Sequence, residues 1–465
     1  MNDLRIFHTI NRLTFGSTAG LIQQVKKMGI EAYIQAQLKP TSIAIPDSLT
    51  QKIQLLDTLS LTPGQIFKQQ QRLIEEAKRL KLEPKAMQKV KGDFEQKIRK
   101  QAERGRLLRA YESPRQLEEI MVDFWYNHFN VDGLQGGQIR LFFSSYEQQA
   151  IRPHVLGKFR QLLGATAKHP AMLVYLDNWQ NTAPGSPKAK GRFKGLNENY
   201  ARELLELHTL GVDGGYTQAD IIALARILTG WGVPDPPAKR VEDEDGFEFE
   251  GDRHDFEDKV FLGHPIKGRG IEEGEEALDI LARHPATAQH ISYKLAQAFV
   301  ADNPPISLVK KMANKFLETQ GEISQVLNTL FTSSEFWSPD VYQVKFKTPY
   351  RYIVSVMRAV DEVSNFDSIN SWLKQLGMPL YGCSSPDGYK NTQEAWLNPD
   401  TMIRRSSLAI PFSKGILNEN KPVDAQKLVE TIGNRLSTKT QEVINKSSPD
   451  LKAALVLGSP EFMKY

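Results

Sequence analysis

Between Leu196 and Trp231 the chain reads LNENYARELLELHTLGVDGGYTQADIIALARILTGW, its densest run of groups able to move protons or hold a cation. Wound at about 100° per residue, Asn199, Arg202, Glu203 and Glu206 fall on one helical stripe, with Tyr200, Leu204, Leu207 and His208 on the opposite side. Two carboxylates three residues apart on one face suit joint ligation of a divalent metal, or a division of general-acid and general-base roles. The same pattern describes an ordinary wet face on which Arg202 pairs with Glu206. His208, among leucines and followed by Gly211, reads either as a core imidazole bound to a carbonyl or as a metal ligand or base. His128, in FWYNHF, has the same two readings.

His254 stands beside Asp255, after Arg253, in a stretch from Asp235 to Lys259 that holds eleven acids against four bases. Pro and Gly punctuate this stretch, so it reads as a loop or small hairpin, and the alternation Phe247 to Glu250 allows one short strand. Connections longer than ~15 residues are seldom idle in compact domains, so a lid bearing His254 and Asp255 is expected. The histidine-aspartate pair lacks the companion ligands of a metal phosphohydrolase. No phosphate-binding glycine loop, G-x-S-x-G elbow or H-E-x-x-H pair occurs, which leaves nucleotide hydrolases, α/β-hydrolases and zincins without support. Asp213-Gly214-Gly215 lacks calcium-loop spacing and reads as a turn. The segment PLYGCSSPDGYKNTQEAWLNPDTMIRRS, from Pro379, has no regular period and reads as an ordered loop packed over something. Near its end Arg404 and Arg405 suit a substrate anion or, more simply, protein carboxylates.

These groups need a scaffold, and the periodicity supplies helices. The spacing predicts helices over 114–130, with Ser113 as cap and Pro114 first, and over 139–167, 196–210, 217–231, 274–300, 306–319, 322–337 and 346–364. Thr217 with Asp220 makes a capping box. Residues 68–109 carry fourteen bases against six acids and read as two amphipathic helices, a basic hairpin with either a solvated face or a polyanion-binding one. Phe247 to Glu250 is the one strand expected. The fold class is therefore mainly α, a large multi-helix globular fold with an irregular acidic loop or small β-hairpin inserted over 232–273.

Composition agrees: 40% hydrophobic and 25% charged residues are those of a globular chain, not a disordered one. No run approaches ~18 apolar residues, and no signal peptide is visible, so cytoplasm is the default compartment, with export left open. The lone Cys383 rules out an intrachain disulfide and a Cys-rich zinc site. A net charge of +4 is too small to argue for nucleic acid.

HTINRLTFG (8–16), FWYNHFNV (124–131), NENYARELLELHTLGVDGGYTQADIIALARILTGW (197–231), HDFEDKVFLG (254–263) and LARHPATAQHISYKLAQAFV (281–300) together resemble the bacterial DUF1800 family over nearly the whole chain. The resemblance implies a single domain over 1–465 and gathers Asn197, Glu198, Asn199, Arg202, Glu203, Glu206, His208, His128, His254, Asp255 and Lys259 into one shared site. It also implies work on extracellular or surface polymers beside a sulfatase-like partner. The expectation is a hydrolytic or metal-assisted enzyme acting on a polysaccharide or other polymer. Its catalytic residues would be Glu203, Glu206, Arg202, His254 and Asp255, its substrate contacts Asn199, Lys259 and Arg404, and its divalent-metal ligands His128 and His208. The rival is a non-catalytic binding or assembly protein with a buried polar network and a basic partner-binding hairpin.

Overall fold

The computed structural model describes residues 2–234, 245–360, 362–433 and 436–465. Residues 235–244 of the acidic stretch therefore lie outside the described residues. Among those described, 23 α-helices stand against four strands of two or three residues, so the chain is mainly α. One contiguous hydrophobic core runs from Ile6 to Met463.

Local chemistry sets most helix starts. Thr62 and Gln65 close a capping box with Pro63 at the first helical position of Pro63–Arg79, and Thr217 and Asp220 close the expected one before Gln218–Ile227. The basic stretch is indeed a helical hairpin, Pro63–Arg79 and Pro84–Glu112, turned through Lys81 at φ 51°. Other expected helices are cut differently. The one at 114–130 begins only at Gln116, because the Gln116 side chain donates to the carbonyls of Ala110 and Ser113 and accepts from the Phe15 amide. The one at 139–167 breaks into Ile139–Ser145, a π turn at Tyr146–Ile151, a 3₁₀ turn at Arg152–His154 that holds Pro153, and Phe159–Lys168. The one at 196–210 becomes a short helix, Asn199–Glu203, followed by a second π turn, Leu204–His208. That at 274–300 is two helices, Ile271–Arg283 and Pro285–Phe299, joined at His284, which caps the second.

The expected strand pairs as Trp231–Gly232 against Glu248–Phe249, antiparallel, with Trp231 opposite Phe249. A second hairpin went unforeseen: Lys259–Phe261 against His264–Ile266, with Lys259 opposite Ile266. Its two-residue turn is Leu262-Gly263, both at positive φ, and a leucine there hides the usual Asn-Gly or Asp-Gly signal.

The interior carries a chain of charges. Arg152 binds Glu119 at 2.8 and 3.0 Å and Glu147 at 3.2 Å; Arg106 binds Glu147 at 3.2 Å and Asp123 at 2.5 Å; the Tyr381 hydroxyl donates to Glu147 at 2.8 Å. Glu147 is fully buried. Burial would raise its carboxyl, but the charges of Arg106 and Arg152 prevail and hold it below the ordinary range. Glu147→Ala leaves two buried guanidiniums each short of a partner, so a loss of about 3–5 kcal/mol is expected in urea unfolding. A loss below ~1 kcal/mol would show that the chain of charges does not hold these helices together.

Candidate functional site

A cleft of about 430 Å³ lies where four segments meet: the helix Gln116–His128, the π turn Leu204–His208, the helix Pro285–Phe299 and the loop after Pro379. Asp123, Phe124, Asn127 and His128 line it from the first, Glu206 and Leu207 from the second, His290, Lys294 and Gln297 from the third, Asp387, Tyr389 and Lys390 from the loop.

The π turn orients the histidines. His128 Nε2 lies 3.1 Å from the His208 carbonyl and His290 Nε2 lies 3.3 Å from the Leu207 carbonyl. A carbonyl only accepts, so both rings carry their proton on Nε2 and present Nδ1 as a lone pair. His128 Nδ1 is buried without a hydrogen-bond partner. Burial, reinforced by the nearby Lys294 charge, pushes His128 far below the ordinary imidazole range and His290 down to about 4. Both are neutral at pH 7. His208, wholly in the core, is pushed down to about 3 by burial first. Gly211 sits at φ +84°, and a Cβ there would come within 2.9 Å of His290 Nδ1, so this corner needs glycine.

Lys294, one turn beyond His290, forms no hydrogen bond or ion pair with the described residues. Burial brings its amine down to about 8, against the opposing charge of Asp387. Asp387 is held down instead: burial would raise it, but hydrogen bonds from Lys390 and Ser385 outweigh that. Glu206 lies 3.6 Å from Arg202, which also binds Glu198 at 3.3 Å. Glu203 is pushed up, first by burial and then by the charges of Glu206 and Asp387, with Arg202 opposing.

The wall opposite is the loop that the sequence marks as packed over something. Asn127 grips Tyr389 on both backbone atoms, at 2.7 and 2.9 Å, and Asn130 donates to the carbonyls of Cys383 and Ser385 at 2.9 and 2.8 Å. Gly388, at φ +72°, passes so close that a Cβ would lie 2.2 Å from the Asn127 carbonyl oxygen. This loop lines the cleft with Glu206, and none of the described residues 245–259 of the acidic stretch does.

The other expected site residues sit elsewhere. His254 Nε2 meets Glu273 at 2.9 Å and its Nδ1 meets the Thr229 carbonyl at 2.8 Å; Lys259 donates to Glu273 at 2.6 Å and to the Asp255 carbonyl. Asp255 pairs with Arg226 at 2.6 Å. Glu273 stays below its ordinary range because hydrogen bonds from His254 and Lys259 overcome the effect of burial. The His254 and Lys259 side chains are fully buried within this satisfied network, and none of His254, Asp255 and Lys259 lines the cleft. Asn199 is exposed, its amide capped by Asn197 and its side chain donating to the Leu176 carbonyl. Arg404 pairs with Asp400 on an exposed face, and Arg405 is buried against the Lys347 carbonyl. Thus Glu206 and His128 line the cleft; Arg202, Glu203 and His208 lie on the segment that supplies Glu206 without lining it, and His254, Asp255, Lys259, Asn199 and Arg404 do not line it either. Among the described residues no three His, Cys, Asp or Glu side chains are grouped so as to hold a metal ion. His290, Lys294, Asp387 and Tyr389 were not singled out from the sequence. The signal available was His290 and Lys294 at four-residue spacing on an expected helix.

An amine at about 8 when folded, against an ordinary 10.5 when unfolded, binds fewer protons in the native state between those values. Lys294 therefore costs stability below that window, and stability climbs with pH across it. Lys294→Met is expected to raise the melting temperature at pH 7 and to flatten that climb; an unchanged slope in pH-dependent unfolding would refute the assignment.

Over residues 8–464 the chain matches the model of a family described as a protein of unknown function, DUF1800. No curated protein and no solved structure matches it. Because the match spans almost the entire sequence, and the helical fold is continuous through it, the chain belongs to the DUF1800 family.

Proposed function

We propose that the chain is a hydrolase that cleaves a glycosidic bond by carboxylate acid-base chemistry in the cleft between His128, Glu206, Lys294 and Tyr389. One observation carries the reading: separate segments meet at one cavity, where His128 brings a buried Nδ1 without a hydrogen-bond partner and Lys294 an amine that no described residue binds, beside Glu206 and Asp387. Groups left unpaired at such a cost are expected where a ligand completes them.

The roles follow from the environments. Glu203, three residues before Glu206 and beside the cleft rather than in its wall, is raised by burial and by its neighbours and is suited to hold a proton for a leaving oxygen; Glu206 and the depressed Asp387, which line the cleft, are suited to activate water. Neutral His128 and His290 offer lone pairs to substrate hydroxyls, while Lys294 donates. Phe124 and Tyr389 supply apolar wall. A volume of about 430 Å³ suits one or two sugar rings, which favours the end or a short stretch of a polymer. A metal-assisted route has less support, since His128 and His208 are joined by no third ligand among the described residues. The purely structural reading fits the His254 network, where every partner is satisfied, better than the cleft.

The test is release of reducing ends from a panel of neutral polysaccharides and oligosaccharides. Glu203→Gln and Glu206→Gln are each expected to cut turnover by about 10²-fold or more while the melting temperature stays near that of the parent. Full turnover in both variants, or neither cleavage nor binding of any saccharide by the parent, would overturn the proposal.

A further inference from the structure

No residue of the basic hairpin lines the cleft. Between Ile66 and Phe94 the only buried side chain is Ala77, so the outer half of the hairpin projects from the body, by about 20 Å for thirteen helical residues. Its charge is concentrated at the free end. Residues 78–91 carry six bases, Lys78, Arg79, Lys81, Lys85, Lys89 and Lys91, against the single acid Glu83. Arg79 alone among them makes an ion pair, with Glu76 at 3.8 Å on an exposed face; the other five have none among the described residues. In the middle of this ring Leu80 is 60% exposed, and Leu82, Met87 and Val90 are half-buried because two helices alone cannot cover their shared seam.

We infer that the apex of this arm docks peripherally on an anionic lipid bilayer, with Leu80 entering the headgroup boundary and the surrounding bases meeting lipid phosphates. Two features together select this partner. Unpaired bases massed at a projecting tip, on a chain whose net charge is only +4, provide local attraction to an anionic surface. An exposed leucine at the centre of those bases is wasted on a linear polyanion but suits an interface that is charged outside and apolar beneath. The arm carries no aromatic or glycine pattern of a nucleic-acid module. No described helix is long and apolar enough to cross a membrane, so the contact is a surface one. This inference is independent of the reaction proposed for the cleft.

Co-sedimentation of the whole protein with vesicles tests it. Vesicles of phosphatidylcholine plus phosphatidylglycerol are expected to carry the protein down, phosphatidylcholine alone is not, and raising salt from about 0.1 to about 0.5 M should release it. The triple variant Lys78→Gln, Lys81→Gln, Lys85→Gln should weaken partitioning about tenfold or more, whereas Lys310→Gln, Lys374→Gln, Lys446→Gln, at exposed sites elsewhere, should not. Leu80→Ser should weaken binding to vesicles while leaving retention on heparin unchanged. Absence of partitioning, equal loss in both triple variants, or an indifferent Leu80→Ser would each overturn the inference, the last in favour of a soluble polyanion.

Discussion

Burying the Glu147 carboxylate wholly inside the fold is the constraint on which the rest of the molecule depends. A lone carboxylate at that depth costs several kcal/mol, so the fold has to bring cations to it from both sides. Arg106 arrives from the long helix Pro84–Glu112 and Arg152 from the turn after the π segment, while Tyr381 adds a hydroxyl from the loop after Pro379. Meeting these demands fixes the relative positions of three elements, and the fourth follows because Arg106 also holds Asp123. Asp123 lines the cleft. The wall of the candidate site is thus set by an interior electrostatic requirement rather than by apolar packing alone. The π turn at Tyr146–Ile151 belongs to the same solution, since Glu147 sits within it.

Four other deep arginines are held by backbone carbonyls instead. Arg12 donates to the carbonyls of Val300 and Val341, Arg351 to those of Asn11 and Thr14, Arg358 to those of Gly16 and Tyr111, and Arg405 to that of Lys347. A guanidinium spreads its charge over a planar fork and serves several carbonyls at once. These contacts clamp the first sixteen residues and the helix Pro349–Ala359 to the body. Against that background two amines stand out: Lys347, deep in the core with only the Ser355 hydroxyl as partner, and Lys294, which lines the cleft and meets neither a carboxylate nor a carbonyl among the described residues. The contrast is what separates a site from a structural network, and the His254–Glu273–Lys259 cluster falls on the structural side by the same measure.

Helix content and most helix positions were legible because one-sided apolar periodicity survives whatever the helices pack against. The breaks were less legible. A π turn adds one residue to a helical turn without changing the apolar stripe, so Leu204–His208 reads as ordinary helix; it ends at His208, which leaves the Leu207 and His208 carbonyls free for the two imidazoles. The stripe of Arg202, Glu203 and Glu206 was visible from spacing alone and proved to face away from the core. His254 and Asp255 misled because an acidic loop rich in polar groups looks functional, whereas the buried partner that consumes it, Glu273, lies on a helix whose start gives no sign of receiving a histidine. The closing loop could be recognised as ordered from its Pro, Gly and Tyr content, but its target could not, since the grip of Asn127 on Tyr389 spans 262 residues of sequence.

The tautomers narrow the chemistry available to the cleft. Because both imidazoles spend their Nε2 protons on backbone carbonyls, neither has a second proton to give near neutral pH, where both rings are uncharged. They accept, and they do nothing else without first being protonated against burial and the nearby ammonium. Proton donation at the cleft therefore falls to Lys294, whose amine at about 8 still holds its proton near neutral pH although burial opposes it, and to Glu203, raised first by burial and then by the charges of Glu206 and Asp387. The division between fixed acceptors and titratable donors is what makes a donor-rich, polyhydroxylated ligand a better match for this cavity than an anionic one. An anion would find Lys294, but Arg351 and Lys390 are already engaged by the Thr14 carbonyl and by Asp387, and it would also meet Asp123, Glu206, Asp387 and two lone pairs with no proton to offer it.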